Sequence, residues 1–170
     1  MLAGSIKLTI ESRLENGALV GVAVNHICRE AGLSEQEAFK VELCVVEAVN
    51  NCIRHAYRER PGNEVEVHFA LTPQAVIAKV ADTGRTLPPQ MLQRPAPPGH
   101  EAPLADSGRG LFIIQSLMDE VTYQSAGGRN VLSMTRHLDA LASRSSATPS
   151  PGEFKIGANP RSGRKQDQGD

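Results

Sequence analysis

"VELCVVEAVNNCIRHAY", residues 41–57, decides how this chain reads. Val41, Val45, Ala48, Val49, Cys52 and Ala56 fall on one side of a helical wheel, a stripe suited to rest on a sheet. Lys40, Glu47, Asn51, Arg54, His55 and Arg58 lie broadly opposite. Glu47, Asn51 and His55 recur at four-residue spacing and therefore share a face at successive turns. Asn is a poor interior helix residue, because its side chain competes for backbone hydrogen bonds, yet two stand together at 50 and 51. A solvated polar face is the plain explanation, and on this stretch alone it is the stronger one.

The flanking segments supply the rest of a domain. "SIKLTIE" alternates Ile6, Leu8 and Ile10 with polar residues, the period of a half-buried strand. A helical pattern follows from Arg13 to about Ala31, closed by Gly32. Ser34 and Glu37 have the spacing of a capping box, so a second helix starts there and runs to about Tyr57, before "RERPGN". "EVEVHFAL" and "AVIAKVAD" read as two strands joined by the turn "TPQ". Residues 85–107 then change character: six of the 11 prolines fall between Pro88 and Pro103, which excludes a regular element. A loop this long inside a compact domain is functional or disordered. "SGRGLFIIQSLMDEV" restores a helix behind a Gly-rich entry, and "VTYQS" and "NVLSMTRHL" make two strands joined across "AGGR".

The order is β-α-α-β-β-loop-α-β-β, with no internal repeat. Strands joined by short turns pair antiparallel, and three helices must share one face. The expected fold is α+β, a two-layer α/β sandwich with three helices on one face of a mixed, largely antiparallel sheet. The domain spans 1–140. Residues 141–170, rich in Ser, Pro, Gly and Arg, carry too few apolar side chains to offset the entropy of ordering and are expected to be a disordered tail.

Composition narrows the function. Apolar residues make up 40% of the 170, aromatics 4%, and Trp is absent, so the core rests on Val, Leu, Ile and Ala. The formal net charge of −1 offers no basic excess for nucleic acid or an anionic membrane. Cys28, Cys44 and Cys52 have no zinc-type spacing and read as small core residues in a reducing compartment. No signal-peptide pattern and no run of ~18 apolar residues occurs. A cytoplasmic protein is expected.

Two further motifs bear on Glu47 and Asn51. "VADTGR" ends a strand with Asp82, followed at once by Gly84. "DSGRGLF" places Gly108 and Gly110 at the entry of an apolar helix, where unpaired N–H groups and the positive dipole end receive phosphate. Either alone is as common in ordinary turns. No GxxxxGK[ST] sequence occurs, and Ile113 takes the third glycine position of a dinucleotide fingerprint.

Taken in order, helical Glu-x-x-x-Asn-x-x-x-His, strand-end Asp-x-Gly, a Pro/Gly-rich loop and a helix-opening Gly-x-Gly resemble the N, G1 and G2 boxes of the GHKL (Bergerat) ATP-binding fold. That superfamily includes gyrase, MutL and the histidine kinases. The resemblance runs from about Ser5 to Leu138. The phrases "VVEAVNNCIRHAY", "VADTGR" and "GRGLFIIQSLMDEV" are most similar to the bacterial anti-sigma-factor serine kinases.

The resemblance implies ATP and Mg2+ as ligands and a role for each matching residue. Asn51 would hold Mg2+, and Glu47, one turn back, would accept the proton of the attacking hydroxyl. Asp82 would accept from the adenine amino group, with Gly84 giving the ring room. Gly108, Arg109, Gly110 and Leu111 would surround the phosphates, and Arg109 would meet charge on the transferred group. The stretch 85–107 would be the lid. His55 either touches phosphate or completes packing, and Asn50 is a helper or a solvated side chain. This chain departs from the pattern in two places. Thr86 stands where a second G1 glycine is common, and Asn130 stands where relatives present a Thr to the nucleotide.

The function so implied is a serine/threonine protein kinase. It would phosphorylate a small anti-anti-sigma partner of the STAS type and sequester a sigma factor or similar regulator, with a homodimer possible in such a system. The competing reading is an ATP-binding partner switch without kinase chemistry, which has no need of a base at Glu47. A histidine-kinase catalytic domain is disfavoured: of the 46 residues before Glu47, the first strand and helix use most, leaving no room for a phosphoacceptor hairpin.

Overall fold

In the computed structural model, which describes residues 3–88 and 106–138, eight regular elements follow the expected order. They are β1 (Gly4–Glu11), α1 (Leu14–Glu30), α2 (Glu35–Asn51), β2 (Glu64–Leu71), β3 (Ala75–Asp82), α3 (Asp106–Leu117), β4 (Glu120–Ala126) and β5 (Arg129–His137). Most of the expected lid and all of the expected tail lie outside the described residues.

The sheet order is β1-β2-β3-β5-β4, and every pairing among the described strands is antiparallel. The expected mixed sheet is thus corrected, and the connections explain it. Two helices between β1 and β2 return the chain to the end it left, so β2 runs against β1. One helix between β3 and β4 would leave those strands parallel, but the β4–β5 hairpin inserts β5 between them.

One face of the sheet carries the core. Val65, Val67, Phe69 and Leu71 of β2 alternate with more exposed residues, and β3 adds Val76, Ala78 and Val80. Against them pack Val20 and Val24 of α1, Val41, Val45, Ala48 and Val49 of α2, and Leu111 and Ile114 of α3. Each Val, Leu or Ile among them contributes roughly 1.5–3 kcal/mol when fully buried. Cys28 and Cys44 are wholly buried free thiols in this core, and burial pushes each up to about 12. Among the described residues no helix is long and apolar enough to cross a membrane.

The capping box of α2 is half formed. Ser34 Oγ accepts from the Glu37 amide at 3.2 Å, but the Glu37 side chain turns away to Lys40 and to Arg136 of β5. Arg136 is itself buried and also bonds Asp119 in the turn between α3 and β4. This ion network ties α2, α3 and β5 together away from the Asp82 end of the sheet.

At its other end α2 departs from the expected helix to Tyr57. Regular α geometry stops at Asn51, and Cys52–Ala56 form one π turn, closed by the Tyr57 amide donating to the Cys52 carbonyl at 3.0 Å. Arg58 and Glu59 then adopt left-handed conformations, φ 54° and 58°, which stop the helix without glycine. Such π turns cluster at functional positions. Here the Ala56 carbonyl accepts from the Arg85 amide at 3.1 Å, so the widened turn serves the loop after β3.

Candidate active site

The polar face of α2 is not a solvated face. Glu47 and Asn51 are half-buried, and what covers them is the first part of α3. A Cβ placed on Gly110 would lie 2.6 Å from Glu47 Oε2, 3.2 Å from Asn51 Oδ1 and 3.5 Å from Asn51 Nδ2. Glycine at 110 therefore lets the α3 backbone come down onto this pair. Among the described residues, no hydrogen bond or ion pair engages the Glu47 carboxylate.

The second half of the site lies between α2 and the sheet. Ala48, Asn51, Cys52, Ala56, Val80, Asp82, Arg85, Leu87, Tyr123 and Leu132 line one cavity. Apolar walls with one buried carboxylate suit a flat heteroaromatic ring carrying a donor. The cavity measures about 20 Å³, room for one water. The loop after β3 is held by Tyr123, whose hydroxyl accepts from the Leu87 amide at 3.0 Å.

Asp82 is buried at the end of β3. Its Oδ1 accepts from the Gly84 amide and from Asn130 Nδ2, each at 2.8 Å. Both bonds fall on one oxygen, and the Cys52 thiol is a further, weak donor to the same carboxylate. The Cys52 thiol lies close by, pushed well above its ordinary range by burial and by the Asp82 charge. It is a weak donor and a neutral wall.

Gly84 is required for a different reason from the one the sequence suggests. A Cβ there would lie 2.6 Å from the Ala56 carbonyl oxygen and 2.8 Å from its carbon, so the immediate demand comes from the π turn rather than from a ring. Tyr57 completes this corner: its hydroxyl accepts from the Thr83 amide at 3.0 Å and donates to the Glu64 carbonyl at 2.7 Å.

The other predicted residues divide. Arg109 is exposed and free to reach a phosphate. Gly108 lies within α3, at its third residue. Leu111 belongs to the core at 3% exposure, so only its backbone could meet a ligand. His55 is half-buried in the π turn, off the regular α2 register that carries Glu47 and Asn51. Asn50 turns to α1, where a Cβ on Gly17 would stand 3.1 Å from its Oδ1; it packs the two helices together. Asn130 is buried behind Asp82 and meets that carboxylate directly. Cys52, Leu87 and Tyr123 are wall residues that sequence reading missed. Inward alternation in β4 was the available signal for Tyr123, whereas Cys52 reads as ordinary core.

The donor set suits a magnesium ion held mostly by phosphate and water, which needs few protein oxygens. Asn51 Oδ1 offers one beside the Glu47 carboxylate, and among the described residues no cluster of three His, Cys, Asp or Glu offers a fuller cage.

Known proteins resemble this chain over most of its described length. The family described as histidine kinase-like ATPase domain matches residues 10–136. A serine-protein kinase RsbW of Bacillus subtilis is 28% identical over 141 residues, covering 81% of this chain and 88% of the relative. A Staphylococcus aureus protein of the same name is 25% identical over 138 residues, with 78% and 86% covered. Among solved structures, the RsbU and RsbW domains of a Mycobacterium tuberculosis protein align with a TM-score of 0.57 at 18% identity. That alignment covers 79% of this chain but 32% of the other. The histidine kinase domain of an Erythrobacter litoralis blue-light activated kinase aligns at 0.51 and 18%, covering 76% of this chain and 63% of the other. Both structural likenesses concern the fold.

Proposed function

Because the chain belongs to the histidine kinase-like ATPase domain family, we propose that it is an ATP-dependent serine/threonine protein kinase of the anti-sigma type. It transfers phosphate to a small anti-anti-sigma partner of the STAS type and sequesters a sigma factor or equivalent regulator. Relatives named as serine-protein kinases, matching over most of both chains, support this reading.

The observation that carries it is the Glu47 carboxylate against Gly110, beside Asn51 and without a bonded partner among the described residues. A phosphate-binding helix entry and a free base one helix turn from a metal ligand is what transfer to a hydroxyl needs. Asp82 and the apolar cavity take the adenine, and the α3 entry with Arg109 takes the phosphates. Glu47 takes the proton of the partner's serine as its oxygen bonds to the γ-phosphorus. The bond from that phosphorus to the β–γ bridging oxygen breaks, and ADP leaves with the electron pair. Mg2+, held by Asn51, would neutralise phosphate charge when bound.

The test is incubation of the purified chain with γ-labelled ATP and each STAS-type protein encoded in the same genome. Label on a partner serine or threonine, lost with Asn51→Ala, supports the kinase. A nucleotide-dependent complex with no transfer to any partner would leave a switch without chemistry.

A further inference from the structure

Asn130, the second residue of β5, stands directly opposite Asp82 in the ladder and is 2% exposed. Its amide nitrogen reaches Asp82 Oδ1 at 2.8 Å and the Gly84 carbonyl at 3.1 Å. Both neighbours are acceptors, so chemistry assigns the NH2 to that side. Its carbonyl oxygen accepts from the Thr86 hydroxyl at 3.2 Å. That bond uses the only Thr86 proton, so the 3.1 Å contact between Thr86 and Ser125 is donated by Ser125. The chain runs one way, from Ser125 to Thr86 to Asn130 to Asp82. Bonds aligned in this way polarise one another.

We propose that Asn130 and Thr86 are positioning residues that set the purine selectivity of the site by holding the Asp82 carboxylate in one orientation, its Oδ1 anchored by Asn130 and the Gly84 amide so that Oδ2 meets the base. This rests on the reading that the cavity takes an adenine nucleotide. An amino purine gives Oδ2 a donor. An oxo purine presents an acceptor to an acceptor, and that repulsion discriminates only while the carboxylate cannot turn aside. Asn130 fits the task because an amide supplies two donors and one acceptor, matching Asp82, Gly84 and Thr86 together. Thr86, standing where a glycine is common, fastens the arrangement to β4 through Ser125.

ATP and ITP differ at the group Asp82 would read and share the same sugar and triphosphate. Calorimetric titration of the wild type, Asn130→Ala, Asn130→Thr and Thr86→Val with each nucleotide and Mg2+ therefore isolates the effect. The preference for ATP over ITP should fall by about tenfold in Asn130→Ala, the size of one hydrogen bond to a charged group. Asn130→Thr, which keeps one donor for Asp82, should recover part of it, and Thr86→Val should fall between. Equal weakening of both nucleotides, with the ratio unchanged, would make the role merely structural and overturn the inference. If Asn130→Ala does not fold, the exposed and nearly isosteric Thr86→Val decides by the same ratio. A wild type that binds ATP and ITP equally, or neither, overturns the adenine reading itself.

Discussion

Glu47 fills the space that a side chain at Gly110 would need: a Cβ there would stand 2.6 Å from its Oε2. Two residues 63 positions apart in the sequence are therefore mutually dependent, the carboxylate requiring glycine and the glycine admitting α3 to the polar face of α2. Gly110→Ala tests this. The clashing atom is the tip of a flexible side chain, so the fold gives way cheaply and melting should fall by no more than a few degrees, under about 1 kcal/mol. The displaced Glu47 and Asn51 should cost phosphoryl transfer at least ~10-fold, because misplacement by about an ångström is that expensive. Thermal melting beside a transfer assay separates the two effects.

Gly84→Ala should behave in the opposite way. Here the obstruction is the Ala56 backbone, with its oxygen at 2.6 Å and its carbon at 2.8 Å from the added Cβ, and backbone cannot swing aside. Overpacking of this kind costs about 1–3 kcal/mol, and denaturant unfolding should register it without nucleotide. An unchanged midpoint would mean that the π turn yields freely and that glycine at 84 serves only the ligand.

The contrast between these two glycines marks what could be read from the sequence. Strands 64–71 and 75–82 were legible to the residue because strict alternation in the first and a three-residue turn between them leave little choice. Glu47 and Asn51 were legible as neighbours because a four-residue spacing puts them on one helix face, and Asp82 because it ends a strand just before glycine. The π turn at Cys52–Ala56 was not. Its Ala56 carbonyl is taken by the Arg85 amide, a tertiary contact with no local signature, and no glycine marks the left-handed Arg58 and Glu59. The partner of Asn130 was hidden for a similar reason. Asp82 meets it only through the β3–β5 register, which a 48-residue separation conceals.

Acid sensitivity should enter through the Glu37 network. Burial alone would raise the Glu37 carboxyl, but Lys40 and Arg136 outweigh it and hold the group below its ordinary value. A depressed folded value means that the stabilisation is complete above the unfolded value of about 4.3 and is lost as pH falls through the folded one. Glu37→Gln should cost about 1.5–3 kcal/mol at neutral pH, the range for hydrogen bonds to charged groups. It should also flatten the acid limb of the stability profile below the usual carboxylate range. Urea midpoints at stepped pH values would show it, and parallel profiles for the two proteins would count against the network.

Phosphoryl transfer by Glu47→Gln tests the central claim most directly. The substitution keeps shape and removes the base, while Asn51, Asp82 and the α3 entry remain. A positioned base contributes about 10²–10⁴-fold. Single-turnover transfer from ATP to the STAS-type partner should therefore fall by at least ~100-fold, with ATP affinity within a few-fold of wild type. Transfer at the wild-type rate would contradict the account, and loss of ATP binding would instead place Glu47 in the metal or structural shell.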